Sequence, residues 1–308
     1  MAISADAEHK VGVTQIPGLF SRSFNVLQKN HPLQMAGSTA FFTTFALPSI
    51  LIIIIQVFGL FINQRFLSSQ LINRMTEVLG KEEGQQLTII LLNFRKMADN
   101  RIVTIGGFIF LLFIASTLFN EIKNSINKIW HIRIKQKPGL LFRISIRGRL
   151  LGVICLAGLL FLFGLLAEGL AIFFGKSLGF MLPGTSTIIQ SMLREIISIL
   201  MVSAWFLLLL RFIADGRPSW FSAITSGTLT GLLFTAGKLV LIWFLPRSNI
   251  GTVYGASGSV VLLLLFVFYS SFILYFGACF TKVLSEALGH EIIPVDKAYR
   301  YKIVEIPE

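Results

Sequence analysis

GSVVLLLLFVFYSSFILYFGACFTKVL, residues 258–284, is an almost unbroken apolar run. A helix needs about 20 predominantly apolar residues to cross the ~30 Å hydrocarbon core of a bilayer, and this run exceeds that. In lipid every backbone N–H and C=O must be satisfied within the segment, so such a run becomes a helix. Five more runs precede it, at residues 36–62, 102–119, 150–174, 196–214 and 220–245, each long enough or nearly so. The expected fold is all-α, a polytopic membrane bundle of six transmembrane helices. Residues 1–35 are expected as a cytoplasmic N-terminal segment, 36–284 as the six-helix domain, and 285–308 as a cytoplasmic C-terminal tail.

Composition agrees with this reading. Hydrophobic residues make up 54% of the chain and charged residues 14%, too few to cover a water-soluble surface. The first apolar run begins only at residue 36 and is too long for the core of a secretory signal, so it is expected to stay as the first span. Cys155 and Cys279 both fall inside expected spans, which points to neither a disulfide framework nor a metal site.

Lysine and arginine set the orientation. With a cytoplasmic N-terminus, 16 basic residues lie on inner segments and nine on outer loops. The positive-inside rule therefore places both termini in the cytoplasm. The net charge of +12 is spread as a topology signal and does not resemble a nucleic-acid footprint. Its densest part, residues 133–149, includes Lys135, Lys137, Arg143, Arg147 and Arg149, interleaved with Leu140, Leu141, Phe142, Ile144 and Ile146. Two readings stay open for that segment: ordinary topology-setting charge, or contact with anionic head groups at about 1 kcal/mol per basic residue.

Two non-spanning segments carry helical patterning. Phe119, Ile122, Ile126, Ile129 and Trp130 recur at three- and four-residue spacing, with Lys123, Asn124, Asn127 and Lys128 on the other face. This pattern predicts an interfacial helix after the second span, with Trp130 at head-group depth. In the first outer loop, Leu67, Leu71, Met75, Val78 and Leu79 form a stripe, and a second apolar stretch follows at 87–94. The pair reads as an amphipathic helical hairpin that packs against the spans or lies on the membrane. Gly227 and Gly231 in the fifth run, at GxxxG spacing, permit close helix approach. Pro48 removes a backbone donor and is expected to kink or break the first span.

Ionisable residues inside spans are the sharper functional clues, because buried charge is costly and usually paired or functional. Glu168 and Lys238 lie at similar distances from the outer ends of the third and fifth runs. One reading pairs them across a shared interior region. The other lets Lys238 snorkel to the interface while Glu168 faces a small wet pocket. At the inner side, Arg211 and Asp215 stand one turn apart, at ion-pairing spacing.

Enzyme signatures are weak. His9, His31, His131 and His290 are scattered without metal-ligand spacing. There is no Gly-x-Ser-x-Gly elbow, and Gly175-Lys176-Ser177 ends a span on the expected outer face with the wrong spacing for a phosphate loop. No catalytic residue, metal site or cofactor is expected.

Several stretches resemble the YihY/BrkB family of bacterial inner-membrane proteins, once labelled ribonuclease BN. They are Ala36-Gly-Ser-Thr-Ala-Phe-Phe leading to Ala46-Leu-Pro-Ser49; Ser116 followed by Ser125-Ile-Asn-Lys-Ile-Trp130; and Leu210-Arg211-Phe212, then Trp220, Gly227 and Gly237-Lys238. The most distinctive is Tyr254-Gly255-Ala-Ser-Gly258, which enters the last run and leads to Phe276-Gly277-Ala278. The resemblance covers residues 20 to 285 or so. It implies six spans with both termini inside and a place in the bacterial inner membrane. The family's association with serum resistance and envelope lipids implies transport of a lipid or amphipathic solute. One departure stands out: the family often has Glu after its final Gly-Ala, and this chain has Cys279.

Two function classes follow. One is a transporter or flippase-like protein for an anionic lipid or amphipathic solute, with membrane lipids as partners and no nucleic acid. The other is a non-transporting scaffold or regulator of envelope assembly. Neither fixes an oligomeric state, and a helical bundle suits both.

Overall fold

A computed structural model describes residues 16–58, 63–79, 101–134, 186–244, 258–295 and 298–302, with isolated helical positions at 89 and between 152 and 167. The described residues are mostly helical. In chain order they form α1 (Ile16–Lys29), α2 (Pro32–Phe58), α3 (Gln64–Leu79), α4 (Arg101–Ile129) and strand β1 (Ile132–Ile134). Then come α5 (Ser186–Leu208), which runs into a π-helical turn at Leu209–Ile213, strand β2 (Gly216–Arg217), α6 (Trp220–Phe244) and α7 (Gly258–Ala287). The chain closes with strands β3 (Ile293–Pro294) and β4 (Ala298–Arg300).

Among the described residues, three helical stretches are long and apolar enough to cross a membrane: Ser191–Ile213, Trp220–Leu241 and Val260–Ala287. They match the fourth, fifth and sixth expected runs. The first and second runs appear as α2 and α4, whereas most of the third lies outside the described residues. Pro48 does not break α2, which continues to Phe58. The large apolar side chains left uncovered include Ile109, Phe110 and Phe113 on α4, Met192, Ile196 and Leu200 on α5, and Leu232, Leu239 and Trp243 on α6. Uncovered apolar surface of this extent is what a bilayer would cover.

The second run and the segment after it form one continuous helix. At about 1.5 Å per residue, the 29 residues of α4 reach roughly 43 Å, well beyond the ~30 Å hydrocarbon core. The expected interfacial helix is therefore corrected: it is the last part of α4. Its apolar face meets protein, so Ile126, Ile129 and Trp130 are fully buried, and Trp130 Nε1 donates to the Ala278 carbonyl on α7 at 2.9 Å. Burying this aromatic with its N–H satisfied removes it from the interface where the stripe alone would leave it.

The first and last described elements fold onto this end of the bundle. On α1, Leu19 and Leu27 are buried, Leu19 packs with Phe280, Val283 and Leu284, and Phe20 lies 4.7 Å from Phe276 between ring centroids. Strand β4 pairs antiparallel with β1, setting Ile132 opposite Arg300, and β3 pairs antiparallel with β2. Gly216 is needed where β2 crosses: a Cβ there would fall 2.8 Å from both Trp130 and Ile292. In the segment expected as the first outer loop, α3 buries Leu67 and Leu71 in the main core, as the reading that packs it against the spans expects. The second half of that hairpin, 87–94, lies almost wholly outside the described residues.

The GxxxG spacing of α6 does what small residues do at helix crossings. A Cβ on Gly227 would lie 2.8 Å from Leu207 Cβ and 2.9 Å from its Cα. One on Gly231 would lie 2.8 Å from Ser203 Cα and collide with its hydroxyl. The backbones of α5 and α6 are thus nearly in contact.

Candidate functional site

Polar side chains gather where α2, α4 and α7 meet, within an otherwise apolar core. Ser38 Oγ donates to Glu121 Oε1 at 2.6 Å. The Tyr275 hydroxyl, buried completely, shares hydrogen bonds with Thr39 on one side and Ser125 on the other. Local structure explains the assembly: Ser38 and Thr39 lie in the early turns of α2, Glu121 and Ser125 are one turn apart on α4, and α7 brings Tyr275 between them. Glu121 is near enough for its charge to act on Tyr275. A carboxylate and hydroxyls from three helices can bind a polar group or hold a proton, functions that an apolar seam lacks.

A second polar knot lies closer to the helix ends. Lys123 Nζ pairs with Asp215 Oδ2 at 2.9 Å, the two side chains being 10% and 2% exposed. Asn127 completes the pair, its Nδ2 donating to Asp215 Oδ2 at 2.8 Å and its Oδ1 accepting from the Asp215 N–H at 2.9 Å. The C-terminal strands add a backbone bond from Val295 N–H to the Asp215 carbonyl. A buried ion pair this fully hydrogen-bonded is costly to break on one side only, by about 3–5 kcal/mol.

Lys282 of α7 ties the end of α4. Its ammonium donates to the Ile129 carbonyl at 3.0 Å and lies 3.4 Å from His131 Nδ1. A cation on the final carbonyls of a helix also meets the negative end of the helix dipole. His131 takes the left-handed conformation that ends α4 (φ 55°), and its carbonyl accepts from the Tyr301 N–H. Burial, and then the Lys282 and Arg300 charges, push the His131 imidazole below its usual range. An imidazole that accepts from an ammonium must be neutral at that nitrogen.

The residues singled out from the sequence fare unevenly. Arg211 and Asp215 were expected to pair, but each is drawn to another neighbour. Asp215 joins Lys123 and Asn127, while the Arg211 guanidinium lies over the Trp220 ring, 4.6 Å from its centroid. The π-helical turn at Leu209–Ile213 changes the angular spacing on which the one-turn pairing relied. Lys238 is half-buried on α6, and its expected counterpart Glu168 lies outside the described residues. So do Lys135, Lys137, Arg143, Arg147 and Arg149, and also Tyr254 and Gly255. Sequence reasoning missed Glu121, Tyr275 and Lys123 as a site. The signal lay in Glu121 itself, an acidic residue just past an apolar run. Ending the span at residue 119 leaves it in the expected interfacial helix, outside the bundle interior.

The family model for virulence factor BrkB matches residues 23–298. The chain belongs to the BrkB family. Among its relatives is a UPF0761 membrane protein of Mannheimia succiniciproducens, 23% identical over 90% of this chain and 93% of its own length. A second UPF0761 membrane protein, from Saccharophagus degradans, is 23% identical over 82% of this chain, a match that spans 56% of the relative. No solved structure matches. Of the residues on which the resemblance was read from the sequence, Gly258 opens α7 and is buried. Gly277 faces Thr230 of α6 so closely that a Cβ would collide with the threonine hydroxyl. Cys279 is fully buried one turn before Lys282.

Proposed function

We propose that this BrkB-family membrane protein moves an anionic lipid or amphipathic solute across the bacterial inner membrane, in the manner of a transporter or flippase and without catalysis or cofactor. The observation that carries the reading is the polar seam of Ser38, Thr39, Glu121, Ser125 and Tyr275 between α2, α4 and α7. A carboxylate on a largely apolar helix is costly unless it is used or paired, and here it meets hydroxyls on neighbouring helices. The excess of basic residues on the inner segments supports two cytoplasmic termini and an attraction for anionic head groups. Glu168 and Lys238 would line the outer part of the path.

Proteoliposomes test this. Purified protein is reconstituted with a fluorescent phosphatidylglycerol, and leaflet exchange is followed by quencher accessibility. Exchange above empty liposomes is expected, slowed by Glu121→Gln and by Glu168→Gln with Lys238→Met. No exchange from well-folded protein, at any imposed pH gradient, would overturn transport of this lipid class and favour the scaffold reading.

A further inference from the structure

The other feature that the transport reading leaves unused is the junction between α5 and α6. Arg211 stands in the π-helical turn at the end of an apolar span, and its Nε is buried with no hydrogen-bond partner among the described residues. One face of its guanidinium is covered by the Trp220 ring, which is itself 55% exposed and has Phe212 against it edge-on. Arg217, exposed on β2, lies within electrostatic reach of Arg211. Neither arginine makes an ion pair among the described residues, because the nearby Asp215 is taken by Lys123 and Asn127. No acidic residue occurs in the first turn of α6. Phe221 and Ile224, in the first turns of α6 next to Trp220, are exposed apolar side chains.

Two like charges within electrostatic reach of each other at the end of a span, one with an unused buried donor, call for an anion. We infer that Arg211 and Arg217, with Trp220 as a platform, bind the phosphodiester head group of an anionic phospholipid in the leaflet facing this end of the bundle. The arginine fork matches phosphate oxygens, and an interfacial tryptophan suits the boundary between head group and acyl chain. A soluble polyanion fits less well, since the ligand must also cover the apolar surface of Trp220, Phe221 and Ile224. The site requires only a membrane around these helices. It stands or falls separately from transport.

Trp220 supplies the readout. In nanodiscs containing brominated phosphatidylglycerol or brominated phosphatidylcholine, the quenching lost on Trp220→Phe is assigned to this ring. Quenching should favour the anionic lipid, and Arg217→Gln, a change at an exposed position, should weaken that preference about five-fold, as about 1 kcal/mol per basic residue implies. Arg211→Gln should weaken it at least as much, and Arg211→Lys should retain part of it. Equal quenching by the two lipids in folded wild-type protein would overturn the site. So would a preference that both Gln variants keep. Full competition by millimolar inorganic phosphate, or by a short RNA, would overturn the assignment to a lipid and give the site to a soluble anion.

Discussion

Asp215 illustrates how a single residue escapes sequence reasoning. Its i−4 neighbour Arg211 is a sensible partner on an ideal helix, but Lys123 and Asn127, far away in the chain, reach it first. His131 was noticed only as one of several scattered histidines, yet it ends α4 and meets Lys282 and Tyr301. Its imidazole titrates below the ordinary 6.5, so the unfolded state takes up its proton first as the pH falls. The stability that neutral His131 contributes is therefore complete above pH 6.5 and is lost as acidity takes the pH down through the lowered folded value. Hydrogen exchange should show this at the Tyr301 amide, which is bonded to the His131 carbonyl. Its protection, corrected for intrinsic rates, should fall between pH 7.5 and about 5.5. In His131→Gln the fall should be absent; an equal fall in that variant would assign the effect elsewhere.

At the scale of elements, apolar runs located helices well and their ends poorly. Residues 220–245 correspond closely to α6, residues 196–214 cover only the later part of a helix that begins at Ser186, and the GxxxG pair in α6 does sit at a close crossing. The second span, ended at 119 because polar residues appear there, continues to Ile129, since Lys123 and Asn127 are satisfied by Asp215 instead of by water. Helix α1 lies within the expected cytoplasmic N-terminal segment, yet its Leu19, Ser23, Val26 and Leu27 fall on one face, packed or buried. The α5–α6 crossing yields a quantitative expectation. Gly231→Val would press two methyl groups into the Ser203 backbone, where helix propensity gains cannot offset an overpacking cost of about 1–3 kcal/mol. Thermal unfolding in detergent should show that loss. The same change at exposed Thr228 should be nearly silent.

On the scale of the whole molecule, several of the largest buried side chains among the described residues gather where α1, the end of α4, the small strands and the end of α7 meet: Trp130, Leu27, Ile126, Ile129 and Val283. The C-terminal tail belongs to that assembly, with Ile292 buried and Arg300 bridging to Glu286 and Glu291. Ending the chain after Leu288 should thus destabilise the protein by about 2 kcal/mol or more, the value of burying one large aliphatic side chain. Unfolding in detergent checks this, and unchanged stability would mean that the tail only rests on the bundle. The amino-acid order by itself determined that this is a helical membrane protein of the BrkB family, because hydrophobic length and lysine–arginine placement are properties of contiguous segments. Only the tertiary structure decided which polar groups meet. Glu121 with Ser38, Tyr275 with Thr39, and Asp215 with Lys123 are pairs from separate elements, and tertiary packing, not sequence spacing, sets those distances.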